Sequence, residues 1–278
     1  MRMPLVAALL AGSVALAGCG EDDVSLDDRA ETAYDGPLTP SGLELAHPRA
    51  GVAGNVVDCD TWGTGSAFEG GVYAEGATAD DPEGAVRTAF SEGLWLSLPS
   101  DLARAAITDD RVLWVAEVEG RVKAAVVVHD GEGSAGAGGD GWYVESWARC
   151  DVVELPADFV EGLGHEVWTD VDGRLVPTTE LEVHAGPEHC DWQDMTFLRL
   201  PGDRRRPTFL RDPEPELRGY VAEPYRAHTT LPADAVDTGY RRGEDRLWTA
   251  PGDARVYVGA DPDDVELWPR LVESLGCA

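Results

Sequence analysis

Two runs in the middle of the chain constrain its fold more than any other feature. Over residues 111–119, Val112, Trp114, Ala116 and Val118 fall at every second position, and over 121–129, Val122, Ala124, Val126 and Val128 do the same. A period of two puts each set on one face of a β-strand. Glu119-Gly120 sits between the runs as a tight-turn pair, so the stretch is expected to close as an antiparallel hairpin. Residues 142–149 supply a third strand that delivers Cys150, after a Gly-rich loop over 130–141 expected to be mobile. Ahead of the hairpin, Asp80-Asp81-Pro82-Glu83 carries the signals of a helix start, with an Asp cap and Pro at the first helical position. Ala85, Val86, Ala89 and Phe90 then repeat at helical spacing, and Gly93 is placed to end the helix. A second short helix is expected over 100–107, with Leu102, Ala103 and Ala106 on one side.

These elements make residues 51–156 a small helix-on-antiparallel-sheet domain. Residues 162–278 read as a mostly β domain, so the fold class expected for the whole is α+β. In that second part, residues 165–171 and 174–176 flank Asp172-Gly173, a strong hairpin turn signal. Further short strands are expected at 179–184, 195–200, 208–211, 247–250 and 255–258. One short helix is expected near 265–275, broken by Pro269.

The N-terminus is of a different kind. Met1-Arg2-Met3-Pro4 precedes an apolar run from Leu5 to Leu16, too short for the roughly 20 residues of a membrane-spanning helix. The run closes on Leu16-Ala17-Gly18-Cys19. This tetrad resembles the lipobox of bacterial lipoprotein precursors. The resemblance implies a signal peptide over 1–18, diacylglyceryl transfer to the Cys19 sulfur, cleavage before Cys19 and acylation of the new amine. The protein would then be lipid-anchored on the extracytoplasmic face of the cell membrane. Residues 19–50 are expected to be an acidic, Pro-containing tether, with seven acids and only Arg29 between Glu21 and Asp35. A coil of that length would span on the order of 30 Å. Lys123, Ile107 and Asn55 are each the only residue of their type. All three use A/T-rich codons, as expected in a very GC-rich genome. Together with the helix-then-strands layout ending on Trp147-Ala148-Arg149-Cys150-Asp151, the chain is similar to actinobacterial lipoproteins that carry no assigned activity.

With Cys19 given to lipid, Cys59, Cys150, Cys190 and Cys277 form an even set in an exported chain, with no zinc-like spacing. Two disulfides are expected, Cys59–Cys150 and Cys190–Cys277, each closing one of the two domains on itself. The nested and crossed pairings are the alternatives. The densest group of reactive side chains is Glu188, His189, Cys190, Asp191, Trp192 and Gln193. A cysteine held in a disulfide is no nucleophile, so Glu188, His189, Asp191, Trp192 and Gln193 stand as binding candidates rather than catalytic ones. His184 with His189 is a conceivable metal pair, and Trp62, Trp142, Trp147, Trp192 and Trp248 are conceivable linings of a glycan or peptide groove.

Motifs of common chemistries are missing. No serine sits in G-x-S-x-G, His165-Glu166 is not followed by a second histidine at the spacing of a zinc protease, and the single lysine lacks a phosphate-loop context. Asp170-Val171-Asp172-Gly173 departs from a calcium loop at Arg174 and Leu175, and the acids Asp261, Asp263, Asp264 and Glu266 read as a solvated loop. Neither cofactor nor resident metal is expected. The function expected is a non-catalytic binding or interaction module with a cell-wall, peptide or protein partner. A secreted hydrolase and a structural envelope component are the rivals.

The net charge is −30, and loss of residues 1–18 removes only Arg2, deepening it by one. Such a field repels nucleic acid and leaves the lipid as the route to the membrane. Acid excess with a single lysine would also suit a halophile, whose fold needs salt to screen its carboxylates. We expect instead that the protein stays folded when dialysed from molar salt into dilute buffer. Circular dichroism checks this, and unfolding would assign the charge to halophily.

Overall fold

A computed structural model describes residues 24–68, 78–91, 98–132, 140–201, 207–251, 255–273 and 275. Its strands are β1 (Ser25–Asp27), β2 (Trp62–Ala67), β3 (Asp101–Ile107), β4 (Arg111–Val118), β5 (Arg121–Glu132), β6 (Asp140–Cys150), β7 (Glu182–Ala185), β8 (Thr196–Arg199), β9 (Thr208–Arg211), β10 (Arg226–Thr229), β11 (Val236–Arg242), β12 (Asp245–Thr249), β13 (Arg255–Asp261) and β14 (Asp264–Pro269). The helices are α1 (Ala53–Val56), α2 (Pro82–Ser91) and α3 (Ala157–Gly162). The chain is mostly β, in three sheets: β1-β3-β4-β5-β6-β2, β10-β14-β13-β12-β11 and β7-β8-β9. All pairings are antiparallel except β1 with β3. No helix among the described residues is long and apolar enough to cross a membrane.

The hairpin forms as expected, except that a bulge at Lys123, between the Ala116–Ala124 and Glu117–Val122 pairs, turns Val122 to the face opposite Ala124, Val126 and Val128. Glu119 and Gly120 both adopt positive φ, 53° and 74°, the pattern of the two-residue turn whose twist matches the strands it joins. β4 is buried along most of its length because its intervening positions are apolar too. One face, Val112, Trp114, Ala116, Ala124, Val126 and Val128, packs under Ala85, Val86 and Ala89 of α2. The other face, Leu113, Val115, Val122, Ala125 and Val127, is covered by Ala30, Leu38, Ala50, Val52, Ala53 and Val56. The helix α2 starts where the cap signal puts it, with Asp81 Oδ1 accepting from the Gly84 amide at 2.7 Å.

Residues 24–50 therefore do not behave as the expected tether. Ser25–Asp27 pairs with β3, Ala30 and Leu38 are buried, and Glu117 accepts from the amides of Glu31 and Thr32, each at 2.8 Å. Their few apolar residues cover a sheet face that would otherwise meet water, which offsets the ordering entropy that composition alone leaves unmet. Four other expectations change. Residues 101–107 form β3 and not a helix, because β4 offers a ladder of hydrogen bonds that overrides alanine-rich helix propensity. The end expected as a helix near 265–275 is β14 up to Pro269: Val265 and Leu267 face one way and Trp268 the other. Around Asp172-Gly173 the turn exists, with Gly173 at φ 79° and Asp170 Oδ1 accepting from the amides of Asp172 and Arg174, but only an isolated Thr169–Leu175 bridge follows it. The acids at 261–266 hold the β13–β14 turn, Asp263 N–H donating to Asp261 Oδ1 at 3.0 Å. The loop expected over 130–141 is narrower, since β5 runs to Glu132 and β6 starts at Asp140; residues 133–139 lie outside the described residues.

The Cys59–Cys150 disulfide is present, with Cα atoms 5.1 Å apart, which excludes the nested and crossed pairings. Cys190 is disulfide-bonded as well; Cys277, its expected partner, lies outside the described residues, as does Cys19. Gly63 lets β2 lie against β6 beside the Cys59–Cys150 bridge, because a Cβ there would come within 2.2 Å of the Cys150 carbonyl oxygen. Around the bridge the only lysine of the chain is buried. Lys123 Nζ donates to Glu154 Oε2 at 2.7 Å and to the Asp58 carbonyl at 2.8 Å. Glu154 in turn accepts from the amides of Asp60 (3.0 Å) and Thr61 (2.6 Å). Each side chain of the pair is only 5% exposed. Lys123→Met leaves Glu154 buried without its counter-ion and is expected to cost about 3–5 kcal/mol in denaturant unfolding. Adding Glu154→Gln, which removes the stranded charge and keeps the acceptor oxygen, should recover part of that loss.

Candidate binding groove

A groove of about 1330 Å³ lies between the end of the six-stranded sheet and the β7-β8-β9 sheet. Three pieces of chain supply most of its lining, and Thr208, Leu271 and Leu275 add to it. Phe90 of α2 and Leu98 to Asp101 form one wall. Pro156, Asp158, Phe159, Leu163 and Gly164, in the segment read from sequence as the junction between two domains, form the second. The third is the β7–β8 connection with its neighbours: His184, Glu188, His189, Trp192, Gln193 and Phe197. The walls belong to two separate apolar clusters. Phe90, Leu98 and Phe159 pack with the first sheet, whereas Trp192, Phe197, Leu271 and Leu275 pack with Met195 and Leu210. Clefts where two packed layers meet are common places for ligands.

The β7–β8 connection is held from within. Residues Glu188–Cys190 form one 3₁₀ turn, and Asp191 follows in the left-handed region at φ 58°. The Gly186 amide donates to the Met195 carbonyl at 2.9 Å, and a Cβ on Gly186 would come within 2.3 Å of the Trp192 carbonyl oxygen. This close approach turns Trp192 toward Phe197, ring centroids 6.2 Å apart. His184 stacks nearly parallel to Phe197, at 5.6 Å and 6°. His184 Nδ1 donates to the Ala185 carbonyl at 2.7 Å. Behind His184 lies His165, 5.6 Å away between centroids. Burial, and then the neighbouring His184, pushes the His165 pKa below the usual histidine value of 6.5.

Of the five binding candidates, Glu188, His189, Trp192 and Gln193 line the groove, and Asp191 sets the turn without lining it. Cys190 is held in a disulfide. The conceivable His184–His189 metal pair gains no third ligand: no group of three metal-ligating side chains occurs among the described residues. Of the five tryptophans considered, only Trp192 is in this groove. Trp248 is 4% exposed, Trp142 and Trp147 pack on the first core, and Trp62 stacks on His47 at 3.5 Å beside a smaller surface pocket. Sequence reasoning missed Phe90, Phe159, Leu163 and Phe197, which converge only through the fold. It also missed a polar cluster at one end of the first sheet. There a bulge in β6 between Val144 and Ser146 brings Glu145 to Arg111, with Oε2 3.0 Å from Nε and Oε1 2.9 Å from Nη2. Asp110 also pairs with Arg111, and His129 Nδ1 lies 2.9 Å from the Tyr143 hydroxyl. Every charge in that cluster has a partner within it, so it offers a ligand no open valence.

The arrangement has a signed pH consequence. Because the folded state holds the His165 pKa below 6.5, the unfolded chain binds more protons over the window just below that value, and stability falls as pH drops through it. Unfolding midpoints measured from pH 7 to 5 should decline, and His165→Gln should flatten the decline.

No family model, no curated protein and no solved structure matches this chain.

Proposed function

We propose that the chain is an envelope-anchored lipoprotein, held at the extracytoplasmic membrane face through lipid on Cys19, and that its groove is a non-catalytic binding site. The anchor rests on Leu16-Ala17-Gly18-Cys19 closing a short apolar run. The binding role rests on one observation above the others: Trp192, His184 and Phe197 form an aromatic wall in a groove that also gathers apolar side chains from other parts of the chain, with polar side chains interspersed among them. Such a mixed lining lets apolar area supply affinity while polar groups fix orientation. A binding role is favoured over hydrolysis by the chemistry of the wall. Cys190, beside the wall, is held in a disulfide, and among the described residues no histidine hydrogen-bonds to the groove hydroxyls of Ser100 and Thr208.

Cys19→Ala is expected to accumulate as an unprocessed precursor without acyl mass, whereas the wild type partitions into detergent as a mature form beginning at residue 19. Normal processing of the variant would sink the anchor. For the groove, native mass spectrometry of protein purified from its own envelope should show a bound mass that Trp192→Ala and Leu163→Asp reduce at unchanged fold.

A further inference from the structure

The position of the groove relative to Cys19 deepens this reading and rests on its anchor. The Ser25 amide donates to the Ser100 carbonyl at 2.9 Å, and Ser25 is in register with Asp101. Ser100 and Asp101 are themselves part of the groove rim. Ser25 thus sits one strand spacing, about 5 Å, from that rim. Only six peptide steps separate Cys19 from Ser25, a reach of at most about 20 Å in any conformation. A folded body of this size is about 45 Å across. The anchor cannot reach round to the far side, so the rim that carries Ser100 and Asp101 is held on the half of the molecule nearest the bilayer.

The lining says what could enter from there. Phe90, Leu98, Phe159, Leu163, Leu271 and Leu275 are apolar and come from three parts of the chain. Leu163, at 36% exposure, is one of the few large apolar side chains left open to solvent. Among the described residues the charges on the rim are mostly carboxylates: Asp101, Asp158 and Glu188 are exposed, while Arg199 is paired with Glu182 at 3.3 Å. An acyl chain gains from the lining, and carboxylates at the mouth repel an anionic headgroup. We infer that the groove opens toward the anchoring bilayer and takes the acyl chain of a membrane lipid whose headgroup has no net negative charge.

The test uses the full-length lipidated protein, reconstituted in vesicles of phosphatidylcholine brominated on its acyl chains. Bromine quenches tryptophan only at contact range, so the part of the emission lost in Trp192→Phe reports occupancy of the groove. The expected result is strong quenching of that part, at least twofold more than in vesicles of equally brominated phosphatidylglycerol, and its loss in Phe159→Asp. Vesicle flotation and intact mass separate the two readings. Protein that carries acyl mass and floats, but whose Trp192 emission is unquenched, overturns the groove inference and leaves the anchor standing. That outcome includes occupancy by the protein's own unbrominated acyl chain. Equal quenching by the two lipids overturns the assigned headgroup class. Protein that carries no acyl mass overturns the anchor and the inference together.

Discussion

The buried Lys123–Glu154 pair is the interaction on which the rest of the structure depends. An ion pair removed from water is worth having only when its remaining hydrogen-bonding capacity is used. Here Lys123 reaches the Glu154 carboxylate and the Asp58 carbonyl, and Glu154 takes the amides of Asp60 and Thr61 as well. A compact ammonium can be satisfied by so few acceptors, whereas a guanidinium would bring five donors into the same space. That accounts for lysine at position 123 in a chain whose other strongly basic side chains are arginine. The pair joins β5, the turn after β6 and the residues flanking Cys59, and Arg121 closes the outside by gripping Asp58 and Asp60.

From this knot the order spreads in two directions. The Cys59–Cys150 bridge sits inside it and closes a loop of about 90 residues, which the loop-entropy model values at roughly 4–5 kcal/mol. Asp151, next to the bridge, accepts from the Thr178 amide and hydroxyl, the latter at 2.8 Å, and so ties the first sheet to the chain that leads into β7. The groove lies along this seam. Its two apolar walls belong to two different clusters, and the open volume lies between them.

Much of the fold was legible. The β4–β5 hairpin, the capped helix α2 and the strand ending at Cys150 all rest on local signals that tertiary context reinforced, and the Cys59–Cys150 pairing followed from the cysteines bracketing the first unit. The losses have one cause. Residues 101–107 and 264–269 have apolar spacings compatible with either period, and hydrogen-bonded neighbours decided for strand. Residues 24–50 look too polar to order, and a sheet face needing cover ordered them. In the site, Glu188, His189, Trp192 and Gln193 stood out as a cluster of reactive types, but Leu163, Phe159 and Phe90 carried no signal, since an apolar side chain in a groove and one in a core look alike in sequence.

Local chemistry, then, is what the sequence by itself determined: where strands alternate, where a helix is capped, which turn joins β4 to β5, and which short stretch resembles a lipid-attachment signal. These depend on residues within a few positions of one another. Only the tertiary structure decided that Lys123 is buried against Glu154, that the acidic N-terminal segment covers a sheet, and that β1 lies beside the groove rim. Each of those depends on groups tens of positions apart, and their free energy comes from removing them together from water, a quantity set by the packed neighbours and not by the order of residues along the chain.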